Sequence, residues 1–412
     1  MIRALRNVFF FLFILHTADL CAGGFQLNTH GMRQFGMGHT GTGLITDGAT
    51  LFFNPGGIVF LDSGWQFTGG FSLIMPRSLY EEPAPGIYHV YMEPNTGTPL
   101  NFYCTYHPKK TDRLGFGLGV YTPYGSRAEW PSGWKGQFII RSISLKTFYI
   151  QPTAAVKITD WLSAGAGFVY ATGSFSLEKG VPVQDMQGEY GSAVLEGDAS
   201  GFGWNAGLLA KFGENWSAGI SMRSGVDVEV AGGKADFTVP SSLEEYFPDG
   251  GFSTKLGLPS TISAGAGYAN EKWKFALDIN RTGWSSYDSL RIDFAQNTEK
   301  LDDVHSARMY KDVFTFRFGA EYAQHEKMLF RGGVYYDQTP VQDGYLTPET
   351  PDMNRIGLTA GASYKITPRI AVHATGLYSQ GKKRTDTNLE TGFSGTFSTK
   401  ALAAGIGFGI MF

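Results

Sequence analysis

Apolar and polar residues alternate with a period of two over much of this chain. Trp216, Ala218, Ile220, Met222, Val226, Val228 and Val230 share one parity. Ser217, Gly219, Ser221, Arg223, Gly225, Asp227 and Glu229 share the other, and only Ser224 interrupts the apolar side. The pattern recurs at 202–212 (Phe202, Trp204, Ala206, Leu208, Ala210, Phe212) and at 402–412 (Leu402, Ala404, Ile406, Phe408, Ile410, Phe412). Successive side chains of a strand point to opposite faces, so these runs predict strands with one oily and one polar side. Strands of soluble sandwiches average about five or six residues. A tilted strand that crosses a bilayer needs about 9–11, and these runs have that length.

The connections carry an independent signal. Short polar turns fall at 107–113, 157–161, 212–216, 269–273, 324–328 and 365–369. Longer connections fall near 75–99, 123–146, 177–197, 231–259, 295–311, 338–354 and 380–399. Strict alternation of the two predicts an all-β, 14-stranded antiparallel transmembrane β-barrel with tight periplasmic turns and long outer loops. The count takes 273–294 as one strand, with Gly283 as the site of a bulge. Trp161, Trp216 and Trp273 each follow a short turn, as in an interfacial aromatic girdle.

The first residues read as an export leader. Arg3 and Arg6 precede the apolar run Val8–Leu15, and small residues Cys21, Ala22 and Gly23 follow. That run is too short for a membrane helix, which needs about 20 apolar residues. Residues 1–22 are therefore expected to be removed. Lipidation at Cys21 is an alternative, but Asp19-Leu20 suits it poorly. Cys104 stands alone, so no disulfide framework is expected. With 34 basic and 37 acidic residues the net charge is −3, which excludes a generally basic nucleic-acid binder. Charged residues make up only 17% while aromatics reach 15%. That composition suits a barrel in the outer membrane of a Gram-negative cell, in contact with lipid and lipopolysaccharide and expected as a monomer.

A fourteen-strand lumen is too wide to fill with wall side chains alone. Residues 23–60 precede the barrel proper, 61–412. They are rich in glycine and also carry Phe25, Leu27, Met32, Phe35, Leu51, Phe52, Phe53 and Phe60. A disordered tail is poor in such residues, so this segment is expected to fold inside the lumen as a hatch.

Here a family resemblance enters. Gly24-Phe-Gln-Leu-Asn28 and Asp47-Gly-Ala-Thr-Leu-Phe-Phe-Asn54-Pro55-Gly56 resemble the hatch of the FadL/TodX family of outer-membrane channels for long-chain fatty acids and aromatic hydrocarbons. Tyr121-Thr-Pro-Tyr-Gly125, Gly133-Trp-Lys-Gly136, Ile150-Gln-Pro152, Gly203-Trp-Asn205, Leu258-Pro-Ser260 and Asp337-Gln-Thr-Pro340 resemble further family blocks in family order. The family usually has Asn-Pro-Ala at the hatch motif, where this chain has Asn54-Pro55-Gly56. The resemblance implies capture of a hydrophobic ligand at outer loops and gating by the hatch. It also implies sideways release through a gap in the wall made by a kinked strand.

Candidate residues follow. Gly115, Gly117 and Gly119 with Pro123 are candidates for the kinked wall, since Gly and Pro weaken strands; the competing reading is that these glycines make room for the hatch. A carboxylate ligand wants a cation: Arg223 and Arg317 point inward by parity, and Arg308 and Lys311 lie on the outer side. The plainer alternative pairs these cations with lumen acids such as Asp227, Glu229 and Glu321. Phe25 and Leu27 are candidate apolar contacts, and Phe247 lies in a greasy outer segment, 237–258, which also carries Phe237, Val239, Leu243, Tyr246 and Leu256. Nothing in the chain shows metal-ligand spacing or a nucleophile elbow, so no enzyme, metal or cofactor is expected. The competing functions are a general porin, which needs an open lumen, and a surface protein or adhesin acting through its loops.

Overall fold

The computed structural model describes residues 23–109 and 111–412. The expected leader, with Cys21, lies outside the described residues. From Gly64 the chain forms a closed barrel of 14 antiparallel strands. The first seven are β1 (Gly64–Glu81), β2 (Leu100–His107), β3 (Leu114–Tyr121), β4 (Ser142–Lys157), β5 (Leu162–Gln184), β6 (Tyr190–Phe212) and β7 (Trp216–Arg223, continued by Val226–Thr238). The rest are β8 (Gly250–Leu258, continued by Ser260–Ala269), β9 (Trp273–Gly283, continued by Ser289–Phe294), β10 (Val313–His325), β11 (Met328–Asp337), β12 (Arg355–Thr367), β13 (Ile370–Gly381) and β14 (Ser394–Met411). Each strand pairs with its neighbours in sequence, and β1 closes on β14 from Gln66↔Met411 to Glu81↔Thr396. The short turns all lie where the sequence puts them. Beside them Trp161, Trp216 and Trp273 point outward, 51%, 58% and 41% exposed.

Two expectations need correction. The connection at 177–197 is mostly strand: β5 and β6 stay paired out to Gln184↔Tyr190. Each runs for 23 residues, about twice what a bilayer requires. The alternation at 216–230 does not mark one continuous face either. Trp216, Ile220 and Met222 are exposed on the outside, whereas Val226, Val228 and Val230 are buried inside. The ladder breaks at Ser224-Gly225, between Arg223 and Val226. At the same height Pro259, which has no N–H to donate, interrupts β8. An irregularity of this kind exchanges the faces of everything beyond it. Asp227 and Glu229 are consequently not lumen acids. They face outward and pair with Lys255 at 2.7 and 3.8 Å.

Inside the band of oily outward residues sits the hatch. It holds two single-turn helices, α1 (Met32–Phe35) and α2 (Thr50–Phe53), followed by a 3-10 turn, Pro55–Phe60. So little regular structure leaves many backbone groups without partners, and the wall supplies them. Asp278 accepts from the N–H groups of Gly41 and Thr42 at 2.8 and 2.9 Å. The hydroxyls of Ser163, Ser217, Ser221 and Thr375 donate to the carbonyls of Gly56, Gly43, Phe53 and Met32. Asn54 caps Gly56 and donates to Thr42 O and Leu208 O, both at 2.9 Å. An ionic anchor joins hatch to wall: Arg33 meets Glu321 at 2.6 Å, and Arg331 meets the same carboxylate at 2.5 Å. Glycines set the closeness of the fit. A Cβ on Gly165 would lie 2.5 Å from the Pro55 carbonyl, and one on Gly56 2.8 Å from Gly207 O. This chain's departure from Asn-Pro-Ala thus removes a methyl that would press on the wall.

Candidate ligand site

The site forms where the hatch start meets an interruption in the wall. Strand β3 keeps unbroken register with β4 from Leu114↔Val156 to Tyr121↔Tyr149. It also pairs with β2 up to Asn101↔Tyr121. Thr122, Pro123 and Tyr124 then leave the ladder, and the strand resumes against β4 over Gly125–Glu129. The hatch start fills the break from inside: Leu27 N–H donates to Pro123 O at 2.9 Å, and Gly125 N–H to Phe25 O at 3.1 Å.

Pro123 therefore stands at the interruption, whereas Gly115, Gly117 and Gly119 lie below it in regular sheet. Their inner faces meet the hatch. A Cβ on Gly117 would overlap Leu51; one on Gly119 would lie 3.0 Å from Leu51, and one on Gly115 3.1 Å from Val59. Their packing supports the room-making reading of these three glycines.

Beside the break is a cavity of about 50 Å³ lined by Arg223, Arg317, Phe52, Asn205, Asn280 and His39 among others. Arg223 comes from the end of the lower half of β7 and Arg317 from β10, both inward by parity as expected. Arg223 donates to Phe52 O at 3.0 Å, to Gln151 Oε1 at 3.2 Å and to the Tyr121 hydroxyl, and it lies over the Phe52 ring. Arg317 donates to Asn280 Oδ1 at 2.8 Å and Asn28 Oδ1 at 2.9 Å. Both side chains are at least nine-tenths buried. Among the described residues no carboxylate forms an ion pair with either. The hydrogen bonds of both guanidiniums go to neutral oxygens, while the carboxylates of Asp337 and Asp278 act on Arg317 through their charge alone.

His30 stacks on Phe52 with 4.0 Å between centroids, and its Nε2 lies 3.1 Å from Thr122 O at the break. Burial, followed by the Arg223 charge, pushes its pKa down to about 3. At neutral pH the positive charge of the cavity is therefore that of the two arginines. Phe25 packs against Trp284 at 4.6 Å, Tyr287 at 5.9 Å and Tyr124 at 6.2 Å, forming an aromatic cover. Leu27 is half-buried beside Gly125.

The other candidates lie elsewhere. Arg308 is buried in the outer loops and neutralised by Glu349. Lys311 is exposed. Phe247 packs with Phe237 at 6.0 Å, and Phe237 with Phe294 at 5.9 Å. The segment 237–258 folds around a 3-10 turn, Ser241–Tyr246, packs Phe237, Val239 and Phe247 against the buried core and tucks Leu256 inside, so its apolar side chains do not line an open groove. Sequence reasoning missed His30, Tyr121, Gln151, Asn280 and Trp284. Inward parity pointed to Tyr121, Gln151 and Asn280, but nothing in the sequence singled out one barrel height. His30 and Trp284 lie in irregular backbone, where parity says nothing.

Comparison with known proteins agrees with this architecture. A family model described as outer membrane protein transport protein (OMPP1/FadL/TodX) matches residues 13–412. A long-chain fatty acid transport protein of Escherichia coli O6:H1 is 25% identical over 409 residues, covering 88% of each chain. The crystal structure of a Pseudomonas aeruginosa FadL homologue superposes with a TM-score of 0.82 at 18% identity, covering 95% of this chain and 100% of that one. The toluene transporter TbuX of Ralstonia pickettii gives a TM-score of 0.69 at 19% identity, covering 93% and 98%. A closed barrel with an oily outer band and a stoppered lumen, matched along nearly its whole length by such proteins, is an outer-membrane protein. The chain belongs to the outer-membrane transport protein family that includes FadL and TodX, whose members carry hydrophobic compounds.

Proposed function

We propose that this protein takes up long-chain fatty acids, holding the carboxylate between Arg223 and Arg317 and releasing the ligand sideways at the β3 interruption. The observation that carries this reading is the convergence on one cavity beside that break of two buried guanidiniums, neither of which forms an ion pair among the described residues. The upper lumen, lined by Val226, Val228, Val230, Phe252, Leu256 and Ile292, offers the acyl chain an apolar approach. Each buried CH₂ contributes about 0.8 kcal/mol, so an oily route from the outer loops to the break keeps the chain out of water throughout. The cavity is large enough only for a head group, so passage requires the Phe25–Leu27 segment to move off Pro123. That movement is the gate. A general porin needs an open lumen, and here the hatch is bonded to strands around the ring.

The test compares oleate with its uncharged alcohol. A hydrogen bond to a charged group is worth about 1.5–3 kcal/mol. Arg223→Gln and Arg317→Gln should each weaken oleate binding about ten- to a hundredfold and leave the alcohol unchanged. Equal losses for both ligands, or none for oleate, would remove the carboxylate from the proposal. Tight binding of toluene alone would assign the channel to aromatic hydrocarbons.

A further inference from the structure

On β1 the outward residues from Trp65 to Met75 carry no charge, and on β14 those from Phe412 back to Leu402 carry none either. Each run has the length of a strand that crosses a bilayer, about 9–11 residues. The next outward residue is Arg77 on β1 and Lys400 on β14, and both are exposed. The two stand directly opposite each other in the ladder, Arg77↔Lys400. They mark the edge of the oily band on the side of the outer loops.

Like charges directly opposite one another destabilise a sheet, so the pair is unfavourable unless an anion joins it. Arg77 lies over the Tyr91 ring at 4.4 Å. Beyond Lys400 the ladder continues to the neutral Gln380. Among the described residues neither cation forms an ion pair or a side-chain hydrogen bond. The neighbouring acids do not supply one. Glu81 is paired with Lys383 at 2.5 Å. Glu93 is exposed on the loop beside β1, where Met92 N–H meets Ser78 O, and makes no ion pair. Elsewhere on the outer wall Lys255 has Asp227 and Arg281 has Asp312, at 2.7 and 2.5 Å.

Further down, the same outer face is hollowed. A groove of about 800 Å³ is lined by Phe71, Ile406, Phe408 and Tyr364, with Ala362 and Ala374 between them in the ladder. Ile406 lies six residues below Lys400 on β14. At about 3.3 Å per residue and a tilt of about 40°, that is a descent of about 15 Å, half of a hydrocarbon core about 30 Å thick. Acyl chains of an outer-leaflet lipid end at that depth. We propose that this face binds lipopolysaccharide, with a phosphate of its sugar head group on Arg77 and Lys400 and the ends of its acyl chains in the groove. The phosphate accepts charge-assisted hydrogen bonds from both cations and turns their repulsion into a shared attraction. The groove crosses four strands, β1, β14, β13 and β12, or about 14 Å at about 4.8 Å per step. That width suits several chains under one head group better than the pair under a phospholipid. Nothing in this proposal depends on which ligand passes through the lumen.

The test titrates the folded, lipid-free protein in detergent with purified lipopolysaccharide, with the same lipid stripped of its phosphates, and with phosphatidylglycerol. The intact lipopolysaccharide should bind most tightly. Arg77→Gln combined with Lys400→Gln should weaken it about ten- to a hundredfold and leave the dephosphorylated lipid unchanged. Ala374→Phe, which fills the groove, should weaken both. Urea unfolding adds a readout that a merely structural role would not move. In phosphatidylcholine vesicles Lys400→Gln relieves the repulsion with Arg77, so the midpoint should rise or stay unchanged. In vesicles that also contain lipopolysaccharide the same variant should lower it. Equal binding of intact and dephosphorylated lipid, equal binding by wild type and double variant, or phosphatidylglycerol bound as tightly as lipopolysaccharide would overturn the proposal. So would an Ala374→Phe variant that binds like the wild type, or a midpoint shift of the same sign in both kinds of vesicle.

Discussion

Below the level of Ser224 and Pro259 the wall turns Leu208, Phe212, Ile220 and Leu277 outward and keeps Asn205, Ser221, Ser263 and Asp278 inside. Above that level Leu195, Val228, Leu256 and Ile292 are inside, while Glu196, Asp198, Asp227 and Lys255 are outside. The same strands thus run through two solvents. In the lower region the outside is hydrocarbon, and the inside is a hatch whose backbone needs hydrogen-bond partners. In the upper region the outside carries charged side chains and the inside is apolar. β7 and β8 make the exchange by a break in the ladder that swaps faces. β6 makes it with no change of parity, by changing residue type along each face. The lower region is therefore a membrane protein with a polar core, and the upper one has the polarity of a soluble barrel.

The lower core can be broken most sharply at its ionic anchor. Glu321 serves Arg33 of the hatch and Arg331 of the wall at once, with Lys274 at 3.8 Å. Glu321→Gln leaves buried cations unpaired, which costs about 3–5 kcal/mol. The cost should fall on the seating of the hatch rather than on the barrel ladder. Limited proteolysis should therefore cut residues 24–60 in the variant while the barrel stays resistant to detergent, and ion conductance across planar bilayers should rise. A hatch as resistant as in the wild type would show that the neutral bonds from Asp278, Asn54 and the wall hydroxyls suffice.

The outer faces distinguish the two regions more directly. Ile220→Lys places a charge on the lipid side of the lower wall, where such substitutions cost about 2–4 kcal/mol near mid-membrane. Val228 lies on the same strand and shares its parity but faces the lumen, while its neighbour Glu229 faces water. Glu229→Lys should therefore change stability by no more than about 0.5 kcal/mol. Urea titration of refolding into lipid vesicles measures both. Similar penalties at the two positions would mean that the membrane extends past the face change.

That contrast also explains what the sequence could show. Strand number, the turns and the girdle tryptophans were legible because a period of two and alternating loop lengths survive without tertiary information. The inward placement of Arg223 and Arg317 followed from parity alone. The face of Val226–Val230 did not, because Ser224 looks like one polar lapse in a regular pattern and the pattern resumes at once. Nor was the length of the β5–β6 hairpin legible, since its outer part (Gly191, Ser192, Glu196, Asp198) has the composition of a loop. The site itself stayed hidden for a related reason. Arg308 and Lys311 were as good as Arg223 on chemistry, and only the fold shows that Glu349 neutralises one of them and solvent surrounds the other. Pro123 was visible as a ladder breaker, whereas the role of the glycines before it depended on what lies against them.

Those glycines provide the finest test of how the lower core is fitted. Gly117 sits in paired strand, and a methyl there would overlap the end of Leu51. Overpacking of that kind costs about 1–3 kcal/mol. Gly117→Ala should loosen the hatch measurably but less than Glu321→Gln, and hydrogen exchange over 50–60 reports it. Leu51→Ala removes the obstructing atoms, so the double variant should seat its hatch better than Gly117→Ala alone. A coupling energy of about 0.5 kcal/mol or more is then expected, because the two residues touch. If the wall opened at Gly117 itself, the outcome would differ: Gly117→Ala would slow ligand uptake without disturbing the hatch, and Leu51→Ala would not restore it. The unbroken register of Leu114–Tyr121 supports the first outcome. It leaves Thr122–Tyr124 as the interruption of β3, where the hatch start bonds to the wall through Leu27 N–H to Pro123 O and Gly125 N–H to Phe25 O.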